Sequence, residues 1–179
     1  MRWCGEGSRR YALKQYASGN TGLEKKQANW YKDIIHGDIK PENVLIFKDD
    51  SHIYTAKLTD FGYSTCFASE DDQIIMPASK YFVAPEWHHR NFTASPANAR
   101  RMDIYSFGIL CFWLLFYNNE RGSDRDFRND LNQGIPVSIL AHDLVAASEN
   151  LDDQRRGNLI EFFDLTLAED PVGRNSDFG

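Results

Sequence analysis

Apolar positions along the chain change their spacing several times, and each change marks an element. Leu23, Trp30, Tyr31 and Ile34 recur at helical spacing behind the breaker cluster Ser18-Gly19-Asn20-Thr21-Gly22. Thr21 and Glu24 form a capping box, so a helix is predicted to open there and run up to about Ile35. Two extended runs follow, 44–47 and 54–58, separated by the turn-prone Lys48-Asp49-Asp50-Ser51. Residues 62–83 are mixed in character, carry the acidic run Glu70-Asp71-Asp72, and read as a long functional loop. The most apolar stretch, 104–117, predicts a buried helix starting near Asp103, with Leu110 and Leu114 on its inner side. A polar loop is expected over 118–130, then helices over 138–148 and 151–168. The second of these carries the stripe Leu159, Phe162, Phe163 and Leu167, and Pro171 ends it. The fold class is therefore α+β, mainly α, with a small β element near 44–58.

Composition narrows the function classes. With 42% apolar residues, including 12 Phe, 8 Tyr and 4 Trp among 179, the chain can pack a core, which excludes disorder throughout. A net charge of −6, without any long basic block, argues against nucleic acid as a partner. The apolar stretch at 104–117 is too short to span a bilayer. Cys4, Cys66 and Cys111 are scattered and odd in number. They read as buried free thiols of an intracellular, reducing compartment, with the cytoplasm expected.

The chemistry lies in His36-Gly37-Asp38-Ile39-Lys40-Pro41-Glu42-Asn43, which sets a carboxylate, a cation and an amide at positions 38, 40 and 43. A second carboxylate follows in Leu58-Thr59-Asp60-Phe61-Gly62. Phosphoryl transfer needs an acceptor for a hydroxyl proton, a positive charge on the moving group and oxygen ligands for Mg²⁺. These residue types supply all three.

The same residues resemble the signature set of the eukaryotic protein kinases, H-R-D-x-K-x-x-N, D-F-G and A-P-E. Here the set is His36 to Asn43, Asp60-Phe61-Gly62 and Ala84-Pro85-Glu86. Asp103-Ile104-Tyr105-Ser106-Phe107-Gly108 and Arg174 match further downstream, so the resemblance covers about residues 23–179 in order. It implies the C-terminal lobe of a kinase fold over 21–179, behind an irregular tail at 1–20. It also implies serine/threonine-type activity: ATP-dependent phosphoryl transfer to Ser or Thr of a protein substrate. Asp38 would be the catalytic base and Lys40 would stabilise charge on the γ-phosphate. Asn43 and Asp60 would hold Mg²⁺, and Leu45 would lie under the adenine. Ser79 would help align the 36–43 loop, Asp103 would brace it through backbone hydrogen bonds, and Glu86 would pair with Arg174. His36 and Phe61 would belong to an internal stack.

Two departures qualify these expectations. Gly37 stands where the family usually has Arg, the receiver of an activation-loop phosphate. The chain therefore reads as a non-RD kinase that phosphorylation at Thr65, Ser69 or Ser79 does not switch on. Only 35 residues precede His36, too few for the ATP-covering lobe, and Gly5-Glu6-Gly7 is no substitute for a glycine-rich loop. As a fragment the chain is thus expected to be inactive. The alternative function is a pseudokinase-like binding module. A small-molecule phosphotransferase sharing His-Gly-Asp is less favoured, because those families generally lack the Asp-Phe-Gly and Ala-Pro-Glu triplets.

Overall fold

The structure, a computed structural model, describes residues 34–76, 79–87, 93–118 and 124–175. The capping box at Thr21, the helix predicted from it, Gly5-Glu6-Gly7 and Cys4 lie outside these residues. Ile34 does not continue that helix. Ile34–Ile35 form a short strand, β1, antiparallel to β4 (Thr65–Cys66). Two adjacent β-branched residues favour extended backbone over helix.

Strand β2 (Val44–Lys48) pairs with β3 (Tyr54–Leu58) over five residues, from Val44 opposite Leu58 to Lys48 opposite Tyr54. Both predicted runs are therefore strands of one hairpin. Asp49 closes its loop: its backbone N–H donates to the Ile53 carbonyl, and its carboxylate accepts from the Ile53 N–H at 2.9 Å. Residues 62–83 are largely loop, as expected, but include β5 (Ile74–Ile75), which pairs with β6 (Thr93–Ala94).

The central helix, α1, spans Pro96–Phe116 and so starts a full seven residues before Asp103. Ser95 caps it by accepting from the Asn98 N–H, and Pro96 occupies the first turn, where a missing N–H costs nothing. The polar run Asn98, Arg100, Arg101 hides this first part from an apolar-run reading. The inner face carries Met102, Tyr105, Ile109, Leu110 and Phe112, all buried. Leu114 does not join them; it is 47% exposed and lines an apolar groove between α1 and the β2–β3 hairpin.

Helix α2 (Asp124–Leu131) takes up residues 124–130 of the polar loop expected at 118–130. Phe127 and Leu131, four residues apart, are its apolar stripe; Phe127 is buried and Leu131 packs against the core. Helix α3 (Val137–Ala146) buries Val137, Ala141 and Val145 at intervals of four. Helix α4 (Asp153–Thr166) is capped by Asp152 and contributes Phe163. Arg156 reaches from α4 to the carbonyls of Val145, Ala146, Ser148 and Leu151, which satisfies the C-terminal end of α3.

The core lies where α1, α3 and α4 meet, with Phe112 and Phe163 fully buried in a T-shaped contact at 6.0 Å between ring centroids. Gly108 permits this approach. A Cβ there would lie 2.6 Å from Thr166 Oγ1 and 2.8 Å from Leu167 Cδ2, both on fully buried residues. Of the two described cysteines, Cys111 is half-buried, and burial pushes its thiol up to about 11. Cys66 is exposed, which corrects the expectation of buried thiols. No helix among the described residues is long and apolar enough to cross a membrane.

Candidate active site

The loop 36–43 crosses the buried side of α1 and is pinned there by Asp103. Its carboxylate accepts from the His36 N–H at 2.6 Å and from the Gly37 N–H at 2.9 Å. Burial pushes the Asp103 pKa up, and the two N–H donors work against that rise without cancelling it. Gly37 sits at φ 76°, a left-handed conformation that glycine adopts without a Cβ clash. His36 ties the loop to the next segment. Its Nδ1 accepts from the Asp38 N–H at 3.3 Å, while Nε2 lies 3.1 Å from the Thr59 carbonyl. These partners fix the Nε2–H tautomer. The His36 and Phe61 rings stack at 5.0 Å between centroids, the contact that the resemblance implied.

Asp38 is buried and stands at the centre of a dense polar network. Lys40 Nζ lies 2.8 Å from its Oδ2, and the Ser79 hydroxyl donates to its Oδ1. Lys40 Nζ also donates to Ser79 Oγ at 3.1 Å. Asn43 reaches back from the 3₁₀ turn Pro41–Asn43, and its Nδ2 donates to the Asp38 carbonyl at 2.8 Å and to Oδ2 at 2.9 Å. Desolvation would raise the pKa of Asp38. The hydrogen bonds from Lys40 and Ser79, the Lys40 charge and the Asn43 bond outweigh it, so the carboxyl is held below its usual range. Lys40 is held above its usual range, first by its hydrogen bond to Asp38. Asp38 is therefore a carboxylate, and Lys40 a cation, at neutral pH.

Lys40, Asn43, Asp60 and Ser79 line one cavity of about 580 Å³. Asp60 borders it in left-handed backbone geometry, φ 58° and ψ 69°, and accepts from the Gly62 N–H at 3.3 Å. Such a conformation in a non-glycine residue costs energy and clusters at functional sites. Thr59, its neighbour, donates its N–H to the Asn43 carbonyl at 2.9 Å, which fixes the two segments side by side. Both Nδ2 hydrogens of Asn43 are engaged by Asp38, so its Oδ1 is left as an acceptor. Together with the Asp60 carboxylate it makes an all-oxygen donor set, the kind that Mg²⁺ takes. Leu45 stands apart from this network. Strand alternation puts it on the face of β2 opposite Val44 and Ile46, where it is 46% exposed.

Further from the cavity, Glu86 and Arg174 form the expected pair as a two-armed fork at 2.7 and 2.9 Å. The Arg174 side chain is fully buried, donates to the Ala168 and Glu169 carbonyls and lies over the Tyr105 ring. Sequence reasoning gave Asn43 to a metal and did not see that its amide also holds Asp38. The signal was available: five residues around a proline turn suffice for a side chain to reach back. The His36 bridge to Thr59 has no signature in the sequence, because its partner is a backbone carbonyl 23 residues away.

Comparison with known proteins gives the family of the chain. The family model "Protein kinase domain" matches residues 27–177. Serine/threonine-protein kinase atg1 of Dictyostelium discoideum is 29% identical over 164 residues, covering 86% of this chain and 22% of that protein. Calcium-dependent protein kinase 19 of Arabidopsis thaliana is 34% identical over 119 residues, covering 66% of this chain and 19% of the relative. Rust resistance kinase Lr10 of Triticum aestivum is 30% identical over 106 residues, covering 58% of this chain and 15% of its own length. The chain thus spans about a fifth of the length of the curated relatives it matches. With the family model covering most of the chain, this protein belongs to the eukaryotic protein kinase family.

Proposed function

We propose that the cavity beside Asp38 is a phosphoryl-transfer site that acts on Ser or Thr hydroxyls of a protein substrate with ATP and Mg²⁺. The observation that carries this reading is the closed network of Asp38, Lys40, Asn43 and Ser79 at the rim of a cavity that Asp60 also lines. Asp38 is the catalytic base: it is ionised, and its orientation is fixed by three side chains, so it can receive and align the acceptor hydroxyl. Lys40 keeps its positive charge at the cavity, where it offsets negative charge developing on the transferred group. Asn43 Oδ1 and the Asp60 carboxylate would hold Mg²⁺, which supplies charge neutralisation and alignment of the phosphates when bound. Ser79 positions Asp38 and Lys40 relative to each other. Leu45 offers an apolar surface for the adenine, and its exposure leaves that surface open. We place the protein in a reducing intracellular compartment, on the strength of three cysteines scattered along the sequence with no Cys-x-x-Cys pair.

The exposure of Leu45 favours a second reading for residues 1–179 by themselves, a binding module without turnover. One-sided adenine contact should leave Mg·ATP with a Kd on the order of 1 mM, and no measurable transfer to Ser/Thr peptides is expected. Calorimetric titration with ATP, with and without Mg²⁺, tests the site. Binding should require Mg²⁺ and be lost in Asp60→Asn. Nucleotide binding that ignores both would contradict the assignment of Asp60. Transfer of radiolabelled phosphate that Asp60→Asn abolishes would refute the inactive reading and leave the site standing.

A further inference from the structure

Besides Lys40, Asn43, Asp60 and Ser79, the cavity beside Asp38 is lined by a second group of residues, Lys80, Tyr81, Phe82, Trp113, Phe127 and Arg128. We propose that this group selects the substrate by taking an anionic side chain, a carboxylate or a phosphate, close to the phosphoacceptor Ser or Thr. The proposal rests on the phosphoryl-transfer reading of Asp38 and its partners and adds the chemistry of the peptide the site takes.

Three cations border the cavity, and among the described residues only Lys40 is paired with a carboxylate. Lys40 is paired with Asp38 at 2.8 Å. Lys80 and Arg128 are exposed, and neither makes an ion pair with a carboxylate among the described residues. Both flank one aromatic ring: Lys80 Nζ lies 4.8 Å and the Arg128 guanidinium 5.7 Å from the centroid of Tyr81. Their combined field registers on the Tyr81 phenol. Its pKa is drawn below the usual range by the Lys80 hydrogen bond first, then by a bond from Asn132 and by both positive charges, with no carboxylate among the causes. Two carboxylates, Glu42 and Asp60, also line the cavity, but both act on Lys40.

The shelf that presents these charges is held firmly. Phe82 packs on Phe127 at 5.5 Å between centroids, and Phe127 is a buried residue of α2. Tyr81 takes φ 82°, a conformation rare for a bulky side chain, and it stands where the backbone turns from Ser79 into this shelf. A peptide in extended form advances ~3.3–3.6 Å per residue. A cavity of about 580 Å³ is roughly 10 Å across, so the anion lies within about three residues of the acceptor. Arg128 can grip a carboxylate or phosphate with two N–H donors while Lys80 adds a point charge.

Fluorescence anisotropy on residues 1–179, without nucleotide, tests the proposal. The probes are labelled nine-residue peptides with a central Ser and, within three residues of it on either side, Glu, phosphoserine, Gln or Lys. The Glu and phosphoserine peptides should bind at least about tenfold more tightly than the Gln peptide, and the Lys peptide more weakly still. Raising the salt should narrow the gap. In the double variant Lys80→Ala/Arg128→Ala, with circular dichroism unchanged, the preference should shrink below about twofold. A phosphoserine peptide well ahead of the Glu peptide assigns the site to phosphorylated partners, and equal binding assigns it to acidic sequences. Equal affinity for Glu and Gln peptides, no binding by any peptide, or a preference that survives in the double variant overturns the proposal. Because the assay contains no nucleotide, an inactive transfer site leaves it readable.

Discussion

Residues 36–43 and 44–58 follow each other in the chain and receive opposite structural treatment. In the first, Asp38 and Asn43 are buried, every side chain with chemistry has a named partner, and Asp103 fastens the backbone to α1. In the second, the β2–β3 hairpin exposes Leu45, Ile46, Ile53, Tyr54 and Leu58. Buried polar networks must be satisfied in full, and that requirement imposes one geometry. A two-stranded ribbon has few contacts to hold it and is marginal on its own. The network around Asp38, proposed to handle phosphate, is thus preorganised by the helical core, while the Leu45 surface, proposed to meet a nucleotide base, is not enclosed by the described residues.

The largest expected effect lies in the scaffold behind the preorganised network. Arg174→Ala strips a fully buried guanidinium from Glu86 and from two backbone carbonyls. Breaking a buried pair in this way should cost about 3–5 kcal/mol. Urea unfolding would show it as a shifted midpoint, and a loss under about 1 kcal/mol would mean that the fork is dispensable.

Asp103→Asn strikes the fastening of the loop directly. One of the two N–H groups, His36 or Gly37, then faces an amide NH₂, and an unsatisfied buried donor should cost about 1–3 kcal/mol. The same variant should lose the pH dependence that belongs to Asp103. Its folded pKa is raised by burial, so the wild type loses part of its stability as pH rises from the ordinary carboxylate value of 3.8 through the folded value. Stability curves of both proteins across that window provide the check.

Asp38 runs the other way. Its pKa is depressed on folding, so its contribution is whole above 3.8 and fades as pH falls through the lower folded value. Asp38→Asn should therefore flatten the acid limb of the stability curve. A limb as steep in the variant as in the wild type would show that the Lys40 and Ser79 contacts do not hold in solution.

The difference between the two regions also explains what could be read in the sequence. The hairpin was legible, strand by strand, because β-branched and aromatic runs around Asp49-Asp50 state their own structure. The residues that converge at the cavity were legible through the signature set, in which their order is fixed. What was not legible depends on contacts distant in sequence. The polar first turns of α1 hide behind Asn98, Arg100 and Arg101. Helix α2 offers only Phe127 and Leu131 as evidence. Leu114 looks identical to Leu110 on paper and differs only in what lies opposite. Lys80 and Arg128, which flank the Tyr81 ring, are 48 positions apart in the numbering, and nothing but the fold brings them there.

The smallest effect should come from the hairpin. Tyr54→Ser or Ile53→Ser, at exposed positions, should change stability by no more than about 0.5 kcal/mol. A loss of 2 kcal/mol or so would show that the hairpin is covered in solution and would dissolve the contrast with the loop.

The contrast itself is measured most directly by comparing two ligands on the same protein. Mg²⁺ tripolyphosphate carries the phosphate chain of ATP and lacks its base. If the phosphate end is built and the base surface is open, calorimetry on residues 1–179 should give the two ligands affinities within about threefold of each other. Both should be lost in Asp60→Asn. Mg·ATP binding more than tenfold tighter than Mg·tripolyphosphate would contradict the open surface, and binding of either that survives Asp60→Asn would contradict the assigned phosphate end.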